Sequence, residues 1–227
     1  MSAHFQRELG KLKDKLLHLC AVVEDNLNRA VRALQTRDVA LASDVVAGDV
    51  AVDQMEVDVE EDCLKILALH QPVATDLRFI VTAMKINNDL ERVGDLAVNI
   101  AERAIALGTD YPRDLPIDFE AMADVTKRMV KQSLDALINM DADLACTVCS
   151  MDDEVDECNR RMFQVFDSAL SKRPGLASEL LHLLSVSRHL ERIADHATNI
   201  AEDVIYMVNG KIARHPSATG RPCPRQQ

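Results

Sequence analysis

The chain reads as all-α, built as two tandem, pseudo-symmetric, antiparallel three-helix bundles. Three observations carry this reading. Aromatics make up only 3% of the 227 residues and Trp is absent, so the core must come from Leu, Val, Ile, Ala and Met. Gly and Pro number only 7 each, few helix breakers for a chain of this length. Finally, residues 89–103 recur at 189–203 with nine of fifteen positions identical.

Taken in order, the first helix spans 4–35 and ends at the polar turn Thr36-Arg37-Asp38. The second spans 38–69 and ends at His70-Gln71-Pro72. The third, 74–107, carries a seam of Ala83, Ile86, Leu90, Val93, Ala97, Ile100, Ala104 and Leu107, stepping by three and four. Such a seam buries one helix face against neighbours at shallow crossing angles. Gly108 to Pro116, with one Gly and two Pro, breaks the pattern. A fourth helix spans 117–139 up to Asp141-Ala142-Asp143, and a fifth spans 142–171 up to Lys172-Arg173-Pro174-Gly175. The sixth, 175–209, repeats the seam in Leu183, Val186, Leu190, Ile193, Ala197, Ile200, Val204 and Met207. The second and fifth helices align at an offset of 103: Asp38 with Asp141, Leu41 with Leu144, Asp49 with Asp152, Asp53 with Asp156. The third and sixth align at 100, so a small deletion falls at the turn between the second and third helices of a bundle. The domains expected are residues 1–109 and 110–210, followed by a disordered tail, 211–227.

The formal charge of −11 argues against a nucleic-acid partner. No apolar run is long enough to span a bilayer, and the first residues lack a signal-peptide core, so a cytoplasmic location is expected. The six Cys are then expected as reduced thiols. Cys146-x-x-Cys149 has no second pair or nearby His to complete a zinc site.

Chemistry is to be sought in the duplicated acids, because a duplicated fold needs matching apolar residues but not matching carboxylates. Glu91, Asp95, Asn99 and Glu102 lie within about 80° on one helix face, on the side opposite the seam. Asp49 and Asp53 form a like pair on the second helix, joined by Glu56 and Glu60. The second half repeats Glu191, Asp195, Asn199, Glu202, Asp152 and Asp156, but places Asn159 and Phe163 where the first has Glu56 and Glu60. A solvated helix face is the ordinary meaning of an acidic run. Here, however, like charges four apart, each costing a few tenths of a kcal/mol, occur on two helices in both halves. Adjacent helices would gather four carboxylates on one outward patch, a donor set suited to Mg²⁺, Mn²⁺, Ca²⁺ or iron better than to copper or structural zinc.

A ferritin-like reading, as a di-iron enzyme or metal store, is the alternative. Such proteins use two Glu-x-x-His motifs facing a bundle core. This chain has one, Glu179 to His182. A plain scaffold whose acids only solubilise it is the third reading. His182, His189 and His196 read as ordinary polar or packing positions. With no nucleophile and base, no glycine-rich phosphate loop and no nucleophile elbow, the chain is not expected to be an enzyme.

Leu90-Glu91-Arg92-Val93-Gly94-Asp95 with Asn99-Ile100-Ala101-Glu102, its copy Leu190 to Glu202, Gln71-Pro72-Val73-Ala74-Thr75-Asp76-Leu77-Arg78 and Phe5-Gln6-Arg7-Glu8-Leu9 together resemble the PhoU family. The resemblance covers about residues 4–210. It implies two three-helix bundles with surface metal clusters held by Glu/Asp-x-x-x-Asp pairs. On this chain those pairs are Asp49 with Asp53, Glu91 with Asp95, Asp152 with Asp156, and Glu191 with Asp195. Asn99, Glu102, Asn199 and Glu202 are possible additional ligands, for divalent or ferric ions (iron, Mn, Mg or Zn). Residues 173–178 lack the Asp-Leu-Arg signature of residues 76–78. The resemblance also implies a homodimeric negative regulator of phosphate homeostasis, linking the phosphate-specific ABC transporter to a sensor histidine kinase. Such an adaptor is cytoplasmic and reaches the membrane only through its partners.

Overall fold

A computed structural model describes residues 3–109 and 119–210. The expected domain boundary, the residues before the fourth helix and the tail from 211 lie outside these. The helices are α1 (Ala3–Thr36), α2 (Val39–His70), α3 (Ala74–Leu107), α4 (Glu120–Asn139), α5 (Ala142–Lys172) and α6 (Ala177–Asn209). A short 3₁₀ turn, Pro174–Leu176, precedes α6 where the sequence reading began the helix at 175.

Each helix forms because one face has something apolar to cover. On α1, Phe5, Leu9, Leu12, Leu16, Leu19 and Val23 are buried at alternating steps of four and three. On α2 the stripe is Val45, Val52, Val59 and Ile66, one residue every seven, and on α5 it is Val148, Val155, Met162 and Ala169 at the offset of 103. Every seam residue expected on α3 and α6 is buried. Full burial of one such Leu or Ile stabilises by about 1.5–3 kcal/mol before entropy is counted.

The caps repeat as well. Asp38 accepts a hydrogen bond from Leu41 N–H at 2.9 Å and Asp141 accepts from Leu144 N–H at 2.9 Å, each satisfying a donor at a helix start. Comparing the two halves locates the deletion: Gln71-Pro72-Val73 between α2 and α3 has no counterpart, since α5 is followed by Arg173 and then directly by the 3₁₀ turn.

The helices α1, α2 and α3 pack on one another, as do α4, α5 and α6, and the two bundles join along α3 and α6, with α1 also touching α4. α3 and α6 run antiparallel: Lys85 Nζ reaches Asp203 Oδ1 at 3.4 Å and Asp89 Oδ1 meets His196 Nδ1 at 2.8 Å. This pairing gives α3 and α6 a second covered face that their seams did not announce. It includes Thr82, Asp89 and Leu96 on α3, and Ala194, Ala201 and Asp203 on α6.

Polar side chains tie helices together at corresponding places. Asn87 Nδ2, buried on α3, donates to the Glu56 backbone oxygen and to Glu56 Oε1, both at 3.0 Å. In the second half Ser187 Oγ donates to Asn159 Oδ1 at 2.6 Å. The bond between helices persists although both residue types change. Cys20, Cys63, Cys149 and Cys158 are free, as expected.

Candidate functional site

The acids stand on either side of the groove between α2 and α3, and again between α5 and α6. The close approach of the first pair is set by Gly94: a Cβ there would stand 3.3 Å from Val52 Cγ1 and 4.0 Å from Asp49 Oδ1. Asp49 and Asp53 flank Val52 on α2, while Glu91 and Asp95 flank Val93 and Gly94 on α3. The acids face outward as expected, with Asp53, Glu102, Asp156 and Asp195 exposed, but Asp49, Glu91, Asp95, Asp152 and Glu191 are half-buried on the shoulder of the groove. Glu91 keeps 23% of its side-chain exposure and Asp95 38%. The reason is that α3 is covered on two sides, by its own bundle and by α6, which leaves the acids only the strip between.

This placement shows in their proton affinities. Asp49 is held above the usual carboxylate range, first by burial and then by the charges of Asp53 and Asp95. Glu91 is raised by burial and by Asp95, Glu56 and Asp53, with Arg92 opposing. In the second half, burial together with Asp195 and Asp156 pushes Asp152 up to about 6, against the hydrogen bond from Thr198. Burial and the charges of Asp156 and Asp152 raise Glu191, while burial, Glu191 and Asp156 raise Asp195. The four acids expected in each half thus face one another from adjacent helices. Arg92 answers part of the first patch, its Nε 3.2 Å from Glu91 Oε2 and its Nη1 3.1 Å from Asp95 Oδ2.

The additional ligands fare differently. Asn199 Nδ2 donates to Asp89 Oδ1 at 3.3 Å, in the seam between bundles. Glu102 pairs with Arg103 at 3.4 Å and acts on His189. Glu202 lies near Cys149, whose thiol it helps push up to about 12 after burial. Asn99 is half-buried on α3. Glu56, whose carboxyl is raised by burial and by Glu60 and Asp53, is held by Asn87 and has a packing role.

As donors, the two patches are all-oxygen and mutually repelling, which is the chemistry a hard cation relieves. Their oxygens are gathered loosely. Among the described residues, the group of His, Cys, Asp or Glu whose donor atoms all lie within 4.8 Å of one another is His4, Glu8 and His70. Sequence reasoning missed it, because Glu8 and His70 are 62 positions apart on two helices with no repeat to mark them.

His196, read as an ordinary polar or packing position, has a specific partner that the sequence reading did not name: it meets buried Asp89 across the bundle seam. The signal was present in the duplication, at the mismatched positions 89/189 and 96/196. An apolar cleft of about 220 Å³ lies among Leu9, Leu16, Phe79, Ile138 and Met207, and none of the patch acids lines it. No helix among the described residues is long and apolar enough to cross a membrane.

Comparison with known proteins accounts for this plan. The family model for the PhoU domain matches twice, over residues 16–104 and 119–204. A phosphate-specific transport system accessory protein PhoU homolog of Pseudomonas aeruginosa is 38% identical over 221 residues, which is 96% of this chain and 91% of that protein. A homolog of the same name from Aquifex aeolicus is 39% identical, covering 92% of this chain and 95% of the other. The crystal structure of PhoU from Pseudomonas aeruginosa superimposes with a TM-score of 0.87 over 91% of this chain and 100% of its own. The phosphate transport system regulatory protein PhoU from Streptococcus pneumoniae gives 0.76 at 26% identity, over 92% of this chain and 98% of its own. These names describe accessory and regulatory proteins, not enzymes. With one domain model met in each bundle and both bundles covered by each of these relatives, the chain belongs to the PhoU family.

Proposed function

We propose that this chain is a metal-binding regulatory adaptor of phosphate homeostasis. It holds back the phosphate regulon when phosphate is plentiful, by linking the phosphate-specific ABC transporter to a sensor histidine kinase. Support comes from relatives named as accessory proteins of phosphate-specific transport, matched over nearly the whole chain. It works in the cytoplasm as a homodimer and meets the membrane through its partners. The observation that carries the metal half is the pair of acid patches at corresponding positions, with raised carboxyls in both.

Asp49, Asp53, Glu91 and Asp95 would hold the cation in the first half, and Asp152, Asp156, Glu191 and Asp195 in the second. A bound divalent or ferric ion (iron, Mn, Mg or Zn) supplies positive charge between two helices. With the ion bound, these residues would hold α2 against α3 and α5 against α6, and the patch would offer a neutralised surface to a partner. A ferritin-like centre would need its carboxylates inside the bundle. Here the buried carboxylates among the described residues are Asp89 and Asp203, both in the seam between bundles.

Two experiments test the reading. Deleting the gene should raise expression of a phosphate-regulon reporter in phosphate-rich medium, and unchanged repression in a strain with no second copy would overturn the adaptor role. Elemental analysis of gently purified protein should find bound metal that drops strongly in the Asp95→Ala, Asp195→Ala double variant. Protein that stays metal-free after incubation with iron, Mn, Zn and Mg would remove the metal half and leave the adaptor role standing.

A further inference from the structure

The first bundle carries another donor cluster, well away from the acid patches. His4 and Glu8 lie one turn apart at the start of α1, and His70 is the last residue of α2. Both imidazoles turn the same atom to the same carboxylate. His4 Nε2 is 3.3 Å from Glu8 Oε1, and His70 Nε2 is 2.6 Å from Glu8 Oε2. The two rings meet edge to face with centroids 5.6 Å apart. Along α2, His70 stands about 25 Å from Asp53, so the cluster shares nothing with the first patch.

We propose that His4, Glu8 and His70 form a binding site for one divalent transition-metal ion of borderline character, for which Zn²⁺ is the fitting case. Two imidazoles and one carboxylate with an open fourth position are a recurrent zinc ligand set, and the oxygen-only patches are not. Bonds of about 2.0–2.2 Å place tetrahedral ligands roughly 3.3–3.5 Å apart, so donor atoms already within 4.8 Å need only a small closure. The exposed member is His4, at 65% in the first turn of its helix. The fixed member is His70, 16% exposed, against whose ring buried Phe5 stacks edge-on at 5.2 Å. The negative end of the α2 dipole, at His70, adds a field that favours a cation there. Two separate imidazole–carboxylate ion pairs are the competing account of the same geometry. They predict no metal affinity lost with His4.

The ion would tie the start of α1 to the end of α2, closing residues 62 positions apart. This inference is independent of the role in phosphate regulation. It is tested on the full chain by calorimetric titration with Zn²⁺ and by visible spectroscopy with Co²⁺. In the Asp95→Ala, Asp195→Ala double variant, whose acid patches are impaired, the expected result is one retained Zn²⁺ equivalent with the intense bands of four-coordinate Co²⁺. His4→Ala, at an exposed position, should keep the helical circular dichroism spectrum and bind that equivalent at least tenfold more weakly. Unchanged Zn²⁺ affinity and stoichiometry in His4→Ala would overturn the site. So would loss of all Zn²⁺ and Co²⁺ binding in the double acid variant, or its absence from the unaltered chain.

Discussion

Asp152 is the residue on which the crowding of the second patch weighs most visibly. Its carboxyl rises from 3.8 to about 6, so in the folded protein it holds its proton more tightly than in the unfolded chain. The stabilisation that goes with that proton is fully present below about pH 4 and is lost as pH rises through about 6. Without metal, Asp152→Asn is therefore expected to be more stable than the parent at pH 7. The gain should be about 1 kcal/mol, allowing for solvent screening of a half-exposed group, and should vanish near pH 4. Urea denaturation in a chelating buffer at the two pH values measures this. An Asn variant that is less stable at neutral pH would mean that the crowding carries no cost. At this scale the eight patch acids were legible because duplication singled them out. Asp89, His196 and the His4–Glu8–His70 group were not, because each depends on a partner from another helix.

Helices were the most readable level of the molecule. All sixteen seam positions on α3 and α6 are buried, since a step of three and four has one physical use, a packed stripe. The covering of a second face on these two helices was not legible. Apart from Leu96, its residues are small or polar, such as Ala194, Ala201 and Thr82, and carry no apolar period. Helix starts behaved likewise: Asp38 and Asp141 stood out as a matched pair, and the structure shows that the match is a shared cap. Replacing either by Ala should cost about 1 kcal/mol. Because the caps serve different bundles, the double variant should lose the sum within a few tenths of a kcal/mol. Thermal or urea unfolding checks both, and a cost near zero for Asp141→Ala would show that its N–H partners, Asp143 and Leu144, find water instead.

At the scale of the whole molecule, the seam between α3 and α6 decides whether two bundles behave as one body. Its polar centre is buried Asp89, held by His196 at 2.8 Å and Asn199 at 3.3 Å. His196→Ala leaves that carboxylate short of a partner and should destabilise by about 2 kcal/mol. The loss should appear as a lower urea midpoint in which both bundles still unfold together, followed by circular dichroism. A variant as stable as the parent would show that Asp89 is satisfied without it. The two-bundle plan itself could be read from the repeat, whereas the mating of the bundles could not, since identity between halves marks what each does alone.

Mating has also made the halves unequal. Lys85 faces Asp203 and Asp89 faces His196, while the positions related by the repeat hold Ser185, Arg103, His189 and Leu96. A hybrid assembled from two first halves would set Lys85 against Arg103 and leave Asp89 beside Leu96. What began as interchangeable copies has become a left hand and a right hand, each able to clasp the other but not itself.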